Sequence, residues 1–192
     1  RPGSLLQLSD PLGQVVVSEN YLLAILAGQR LTSSLVVDAS GSTLDQNGSS
    51  KLLGGEADLM WLRALRSRVG LVVTGGATYR AEQYRMPRSA DLAVFSRSPL
   101  VAPSGFEDSP RFLSFMGEQQ SLSGEILELM KKYQHIHLEF GAQTLIPILR
   151  QLGFGVWISS QFKSGIEAFC IEKGIRQRHA IKVRDLYIAY CL

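Results

Sequence analysis

One pattern constrains this chain more than any other: short apolar runs closed by glycine or serine alternate with stretches that carry leucine at helical spacing. Residues 31–40 (LTSSLVVDAS) open the series as a β-branched run ending at Gly41, followed by a polar loop over 42–51. Residues 71–74 (LVVT) stop at Gly75-Gly76, 92–95 stop at Ser96-Arg97-Ser98, 135–140 stop at Gly141, and 154–159 complete the set. Between them, residues 56–68 and the following Val69 place Leu59, Leu62 and Leu65 at helical spacing, with Arg63, Arg66 and Arg68 facing the other way. Helices are also expected at 77–83, 122–133 and 144–152, and residues 99–110 read as a proline-punctuated loop. Apolar strands separated by helices predict an α/β fold with a mostly parallel central sheet and helices on both faces. Two late runs, 166–171 and 181–189, have no helix between them and predict an antiparallel C-terminal edge. Residues 1–30, broken by Pro2, Gly3, Pro11, Gly13 and Gly28, read as a lead-in segment, and 31–192 as a single domain.

Composition narrows the function classes. With 192 residues, 45% of them hydrophobic, the chain can close a core without disulfide or metal staples. Its longest apolar stretch, 21–27, is far shorter than the ~20 residues that cross a bilayer, so a soluble, cytoplasmic protein with no membrane partner is expected. Cys170 and Cys191 each stand alone in apolar surroundings, which reads as two reduced thiols rather than a bridge. The 20 Lys and Arg against 17 Asp and Glu leave a net charge of +3, suited at most to an anionic ligand. The basic run around His179 (Lys173, Arg176, Arg178, Lys182, Arg184) lacks the interleaved aromatics of a nucleic-acid surface, so no nucleic-acid partner is expected.

In an open α/β sheet ligands gather where the strands end, so the residues just past each strand carry the information. At Thr74-Gly75-Gly76-Ala77-Thr78 the glycines permit close backbone approach, and the next helix start offers N–H groups to a phosphate oxygen; the same turn also serves as plain structure. Ser96-Arg97-Ser98 sets one cation between two hydroxyls, which suits a phosphate monoester such as a 2′-phosphate, or forms an exposed polar turn. Glu139, ahead of Phe140-Gly141 and Gln143-Thr144, is an acid at a strand's carboxyl end, placed to orient a hydroxyl, to transfer a proton or to cap a helix. His135 and His137 share a strand face, but with no third ligand nearby no metal is assigned. G-x-G-x-x-G, a P-loop and a nucleophile elbow are all absent from the sequence.

Several of these residues fall into longer motifs. Asn47-Gly48-Ser49-Ser50, Leu53-Gly54-Gly55-Glu56-Ala57-Asp58, Leu65-Arg66, Gly75 to Tyr84 (GGATYRAEQY), Leu138 to Leu145 (LEFGAQTL) and the closing Asp185 to Tyr190 (DLYIAY) resemble the reductase domain of riboflavin biosynthesis. That domain is the carboxyl-terminal half of the bifunctional deaminase–reductase and has a dihydrofolate-reductase-like fold. The resemblance is strongest over 35–85 and implies a stand-alone enzyme that passes a hydride from NADPH to C1′ of a ring-opened ribosylaminouracil phosphate. It implies that Gly75, Gly76, Ala77 and Thr78 touch the cofactor's phosphates, Ser96 and Arg97 its 2′-phosphate, and Gly141 its nicotinamide half. On the substrate side it implies Glu139 and Asp38 as the catalytic acids, with Ser40, Glu82 and Arg85 bordering the small-molecule substrate.

The chain also departs from the family pattern. Ser-Leu-Asp-Gly becomes Asp38-Ala39-Ser40-Gly41, which on one strand face displaces the acid by ~7 Å at ~3.3 Å per residue. Phe140 replaces the first glycine of Glu-Gly-Gly, its ring expected where the cofactor needs backbone, and Gly153-Phe154-Gly155-Val156 lacks the family's Asp-Glu pair. The alternative to the enzyme is therefore a catalytically inactive nucleotide-binding relative. Finally, Ile181, Val183, Leu186, Ile188, Tyr190 and Leu192 form an apolar row expected at an exposed sheet edge, which predicts a homodimer, as the family resemblance also does.

Overall fold

The computed structural model describes residues 7–9, 15–16, 26–44, 50, 53–117, 122–183 and 185–192. The expectations for most of the lead-in segment, and for residues 45–49 of the polar loop with Asn47, lie outside the described residues. The elements run β1 (Gln7–Ser9), β2 (Val15–Val16), β3 (Leu31–Val36), α1 (Gly55–Arg66), β4 (Leu71–Gly75), α2 (Gly76–Ala81), β5 (Asp91–Ser96) and β6 (Phe112–Met116). They continue with α3 (Leu122–Lys132), β7 (Ile136–Glu139), α4 (Ala142–Leu152), β8 (Val156–Ser160), α5 (Lys163–Lys173), β9 (Gln177–Val183) and β10 (Leu186–Cys191). The chain divides into two compact units, one of Leu31–Ser33 with Leu62–Phe154, the other of Arg1–Arg30, Ser34–Trp61 and Gly155–Leu192.

The first, parallel unit orders its strands β3, β7, β4, β5, β6, with every neighbouring pair parallel. Leu71, Val72, Val73, Leu92, Ala93, Val94, Ile136 and Leu138 are buried, as the apolar runs required. The register aligns the carboxyl ends: Thr74 lies beside Glu139, Gly75 beside Phe95, and Ser96 beside Met116. β6 had no sequence expectation: its run FLSFM is apolar but only five residues long, is interrupted by Ser114, and contains no fully buried residue.

The second, mixed unit pairs the last residues of β3 parallel to β8, then adds β10, β9, β1 and β2, each antiparallel to its neighbour. The mostly parallel α/β architecture with antiparallel C-terminal strands is thus as expected, with two corrections. Residues 166–171, expected as a strand, lie within helix α5. The buried residues Ile166, Phe169 and Cys170 fall at helical spacing while Ile171 is 83% exposed, and Gly174 ends the helix in the left-handed region at φ 66°. The apolar row in β10 is not an edge, because β10 is flanked by β9 and β8, and the other side of β9 is taken by β1. β10 therefore presents no open edge on which a second copy could pair.

Candidate functional site

The paired glycines lie where the sequence placed them, at the carboxyl end of β4 and the start of α2. Close packing excludes a side chain at Gly76 and leaves only a tight fit at Gly75. A Cβ on Gly76 would sit 2.4 Å from Ser96 Oγ, and one on Gly75 would sit 3.3 Å from the ring of Phe140. Ala77 is exposed and Thr78 half-buried, and no side chain caps α2. One strand over, Gly141 (φ −60°, ψ 154°) leads into α4, again with no side-chain cap and with nothing within 4 Å of where a Cβ would be. Two glycine-led helix starts thus stand at the carboxyl ends of adjacent parallel strands, β4 and β7.

At the end of β5, Ser96 is buried and Arg97 exposed. The cation that joins the two hydroxyls of this turn comes instead from α2. Arg80 Nη2 donates to Ser96 Oγ at 3.0 Å, Ser98 Oγ at 2.9 Å, and the carbonyls of Ser98 and Pro99 at 3.2 and 3.0 Å. Arg80 therefore ties the first turn after β5 to the helix that follows Gly75-Gly76.

Glu139, 6% exposed, is held on all sides. Arg66 grips it in a bidentate fork, and the Tyr84 phenol donates to Oε2. His137 Nε2 stands 3.6 Å from Oε1, its Nδ1 shares a 2.8 Å hydrogen bond with Thr32 Oγ1, and Thr74 Oγ1 donates to the Glu139 carbonyl at 2.6 Å. Burial pushes the Glu139 carboxyl up, but the hydrogen bonds and charge of Arg66 outweigh it and hold the group below the ordinary carboxylate range. Burial drives His137 down to about 4, so its ring is neutral at pH 7, and burial beside the Glu139 charge raises Tyr84 well above the usual phenol range. A carboxylate held this way is a fixed acceptor with a stable charge rather than a group that exchanges protons near neutrality.

Tyr84 is aimed by a helix end. The N–H groups of Glu82, Gln83 and Tyr84 return to the carbonyls of Thr78, Arg80 and Tyr79, with Gln83 in the left-handed region at φ 49°. This is the closure that glycine usually provides. Glu82 is the helix cap and is half-buried, and Arg85 is exposed.

In the mixed unit, the expectation that Asp38 and Ser40 share a strand face is corrected: β3 ends at Val36, and both lie in a turn. Asp38 Oδ1 accepts from the Ser40 N–H at 2.9 Å, the Ser40 hydroxyl at 2.7 Å and the Ser42 N–H at 2.9 Å. The Ser40 hydroxyl leads these bonds in lowering the Asp38 pKa. Gly165 of α5 packs so closely on this turn that a Cβ there would lie 1.9 Å from the Asp38 carbonyl oxygen.

A second acid stands nearby in the same unit. Asp58, in the first turn of α1, accepts from the Ser159 hydroxyl on β8, and burial raises its pKa. One helical turn on, Trp61 packs edge-on against Trp157 at 5.5 Å, and its buried indole N–H has no partner among the described residues. Residues 58 and 61 share a helix face, as 157 and 159 share a strand face. An acid bonded only to a neutral hydroxyl by this geometry can hold a proton, the property that the ion-paired Glu139 lacks.

Sequence reasoning missed Arg66, Arg80, Tyr84, Thr32 and Asp58 as site residues. Asp58, Arg66, Arg80 and Tyr84 stood within the resemblance motifs without a role, Arg66 also as a polar position of an amphipathic helix, and the partners of Arg66 and Tyr84 lie 73 and 55 residues away. Among the described residues no group of three or more His, Cys, Asp or Glu is placed to hold a metal, and no helix is long and apolar enough to cross a membrane.

No protein-family model matches the sequence, and no curated protein does. Solved structures do. RibD of Acinetobacter baumannii is similar with a TM-score of 0.61 at 14% identity, over 84% of this chain and 57% of that one. The diaminohydroxyphosphoribosylaminopyrimidine deaminase/5-amino-6-(5-phosphoribosylamino)uracil reductase of Thermotoga maritima follows with a TM-score of 0.58 at 12% identity, over 90% and 59%. A pyrimidine reductase-like protein of Corynebacterium diphtheriae gives 0.58 at 14%, over 88% and 93%. The chain spans under two thirds of the two longer proteins and nearly all of the third. What it shares with them is the fold, the one implied by the motifs of the sequence.

Proposed function

We propose that this chain is an NADPH-dependent reductase of a ribosylaminouracil phosphate. The observation that carries the reading is the pair of glycine-led, uncapped helix starts at the carboxyl ends of β4 and β7, where Gly141 leaves open space. Backbone N–H groups at such starts, with the helix dipoles behind them, suit the two phosphates of a dinucleotide. When bound, the nicotinamide supplies the hydride that C1′ of the ring-opened sugar accepts. The chain's own part is to place and exclude. Gly75, Gly76, Ala77 and Thr78 bind phosphate oxygens, Gly141 admits the nicotinamide half, Arg97 meets the 2′-phosphate, and Ser96 with Arg80 braces that turn. Glu139, the acid that the resemblance places at the substrate, is engaged by Arg66 and Tyr84 and anchors the end of β7 from behind.

One observation favours a second reading, that of an inactive nucleotide-binding relative. The Phe140 ring, 4% exposed, is packed on Gly75, where the resemblance predicts free backbone. Calorimetric titration with NADPH and NADH, followed by NADPH oxidation in the presence of the ribosylaminouracil phosphate, tests both. Enzyme and relative alike require NADPH to bind at least tenfold tighter than NADH, and Arg97→Ala to erase most of that preference. Equal affinities for the two cofactors overturn the 2′-phosphate assignment, and no binding of either overturns the proposal. Binding without turnover, converted to turnover by Phe140→Gly, establishes the inactive relative.

A further inference from the structure

The two cysteines that the sequence shows as isolated thiols meet in the mixed unit. Cys170 Sγ and Cys191 Sγ are 3.5 Å apart, and the residues are 5% and 0% exposed. The backbone on both sides fixes this meeting. Cys170 lies in the last turn of α5, where the Ile175 N–H returns to the Cys170 carbonyl at 3.0 Å and the Gly174 N–H to Ile171 at 3.3 Å. The chain then turns at once, and Arg176 exchanges backbone hydrogen bonds of 3.0 and 2.9 Å with Leu192, the neighbour of Cys191. Cys191 is itself paired with Gln177 on one side and Val156 on the other. Helix end and strand are therefore held in register by main-chain bonds that do not involve the sulfurs.

Two thiols with no third ligand do not make a zinc site, and among the described residues no larger ligand group exists. What two adjacent thiols can do is share an oxidation. The sulfurs need only close from 3.5 Å to about 2 Å, a movement within reach of side-chain rotation.

We propose that Cys170 and Cys191 are a paired modification site that closes to an intramolecular disulfide when the protein meets a peroxide. The Cys170 thiolate attacks one peroxide oxygen, the O–O bond breaks, and the departing hydroxide takes up a proton as water, leaving a sulfenic acid on Cys170. Cys191 sulfur then attacks Cys170 sulfur. The S–O bond breaks, its oxygen leaves with the Cys191 proton as a second water, and the two thiols have given two electrons to the peroxide. The roles follow the environment: the hydrogen bond shared with Cys191 holds the Cys170 thiol below its ordinary range, whereas the same bond and burial hold Cys191 above it. The product staples the end of α5 to β10. A dithiol reductant reverses it by exchange.

The test uses the whole chain, treated with hydrogen peroxide, then unfolded in the presence of an alkylating agent and weighed intact. The expected result is one species lighter by two hydrogens that takes up no alkyl group, and that takes up two after dithiothreitol. Its melting temperature should exceed that of the reduced chain, a shift that Cys170→Ser abolishes while its remaining thiol stays open to alkylation in denaturant. Two alkyl groups on the peroxide-treated wild type overturn the proposal. So does a stable sulfinic acid on either cysteine, or a cross-link found only between two chains.

Discussion

Arg66 holds Glu139 with Nε on Oε1 and Nη2 on Oε2, both at 2.7 Å, fastening the last turn of α1 to the end of β7. Removing one partner of such a pair leaves a buried charge unanswered. Arg66→Met should therefore destabilise the protein by about 3 kcal/mol, the low end for a broken buried pair because the Arg66 side chain keeps 24% of its surface exposed. Urea unfolding measures this. The double variant Arg66→Met, Glu139→Gln should lose less than the sum of the single losses, and strict additivity would mean that the fork contributes nothing.

His137 gives the fold an acid-sensitive element. Buried and neutral, it titrates at about 4 against an ordinary 6.5. Below pH 6.5 the unfolded chain binds a proton that the folded one refuses, so stability is full above 6.5, falls as the pH drops towards 4, and levels off below. The loss amounts to ~3 kcal/mol at most, at ~1.4 kcal/mol per pH unit. Unfolding free energies across this range should fall less steeply for His137→Gln. An identical profile in that variant would mean that His137 does not titrate in this way.

Gln83 occupies the left-handed position that closes α2. A side chain there costs ~1 kcal/mol that glycine does not incur. Gln83→Gly should stabilise the protein by ~0.5–1 kcal/mol while Tyr84 stays on Glu139, which keeps its phenol from ionising in a spectrophotometric pH titration. A destabilised variant would show that the Gln83 side chain contributes more than its backbone costs.

Asp58 shows the opposite linkage to His137. Its raised pKa means that the folded chain keeps this proton to higher pH than the unfolded chain does, so the ionised form weakens the fold at neutral pH. Asp58→Asn should be more stable than wild type at pH 7, with the advantage fading as the pH falls through the carboxyl range. The hydrogen bond from Ser159 survives on the amide oxygen. Thermal melts at both ends of the range decide it, and a variant weaker at pH 7 would show that the ionised form is favoured.

The parallel strands were legible because burial on both faces demands runs such as Leu71-Val72-Val73, and the turns that follow announced themselves through glycine and serine. Residues 166–171 were misread because isoleucine and phenylalanine satisfy either period over so short a run, and the decision came from how α5 packs. The site divided along the same line. The placement of Gly75, Gly76, Gly141 and Ser96 at the strand ends was readable because strand termini announce themselves locally. Arg66, Tyr84 and Asp58 were not, since each gains its meaning from a partner brought near only by folding. The same holds for Cys170 and Cys191, whose adjacency depends on α5 and β10 rather than on any spacing in the sequence.

The division of the chain also fixes an order of assembly. Apart from Leu31–Ser33, the parallel unit is one uninterrupted stretch, Leu62–Phe154, in which β5 joins β4 and β6 joins β5 after about twenty residues each, while β7 reaches back 65 residues to β4. In the mixed unit β3 must wait for β8, with Val36 meeting Ser159 only after all of that stretch has been made. Loop-closure entropy and contact order make such a pairing slow. The seam of β3 with β8 is thus the late-forming part of the mixed unit, whereas Cys170 and Cys191, 21 residues apart, can meet before it closes.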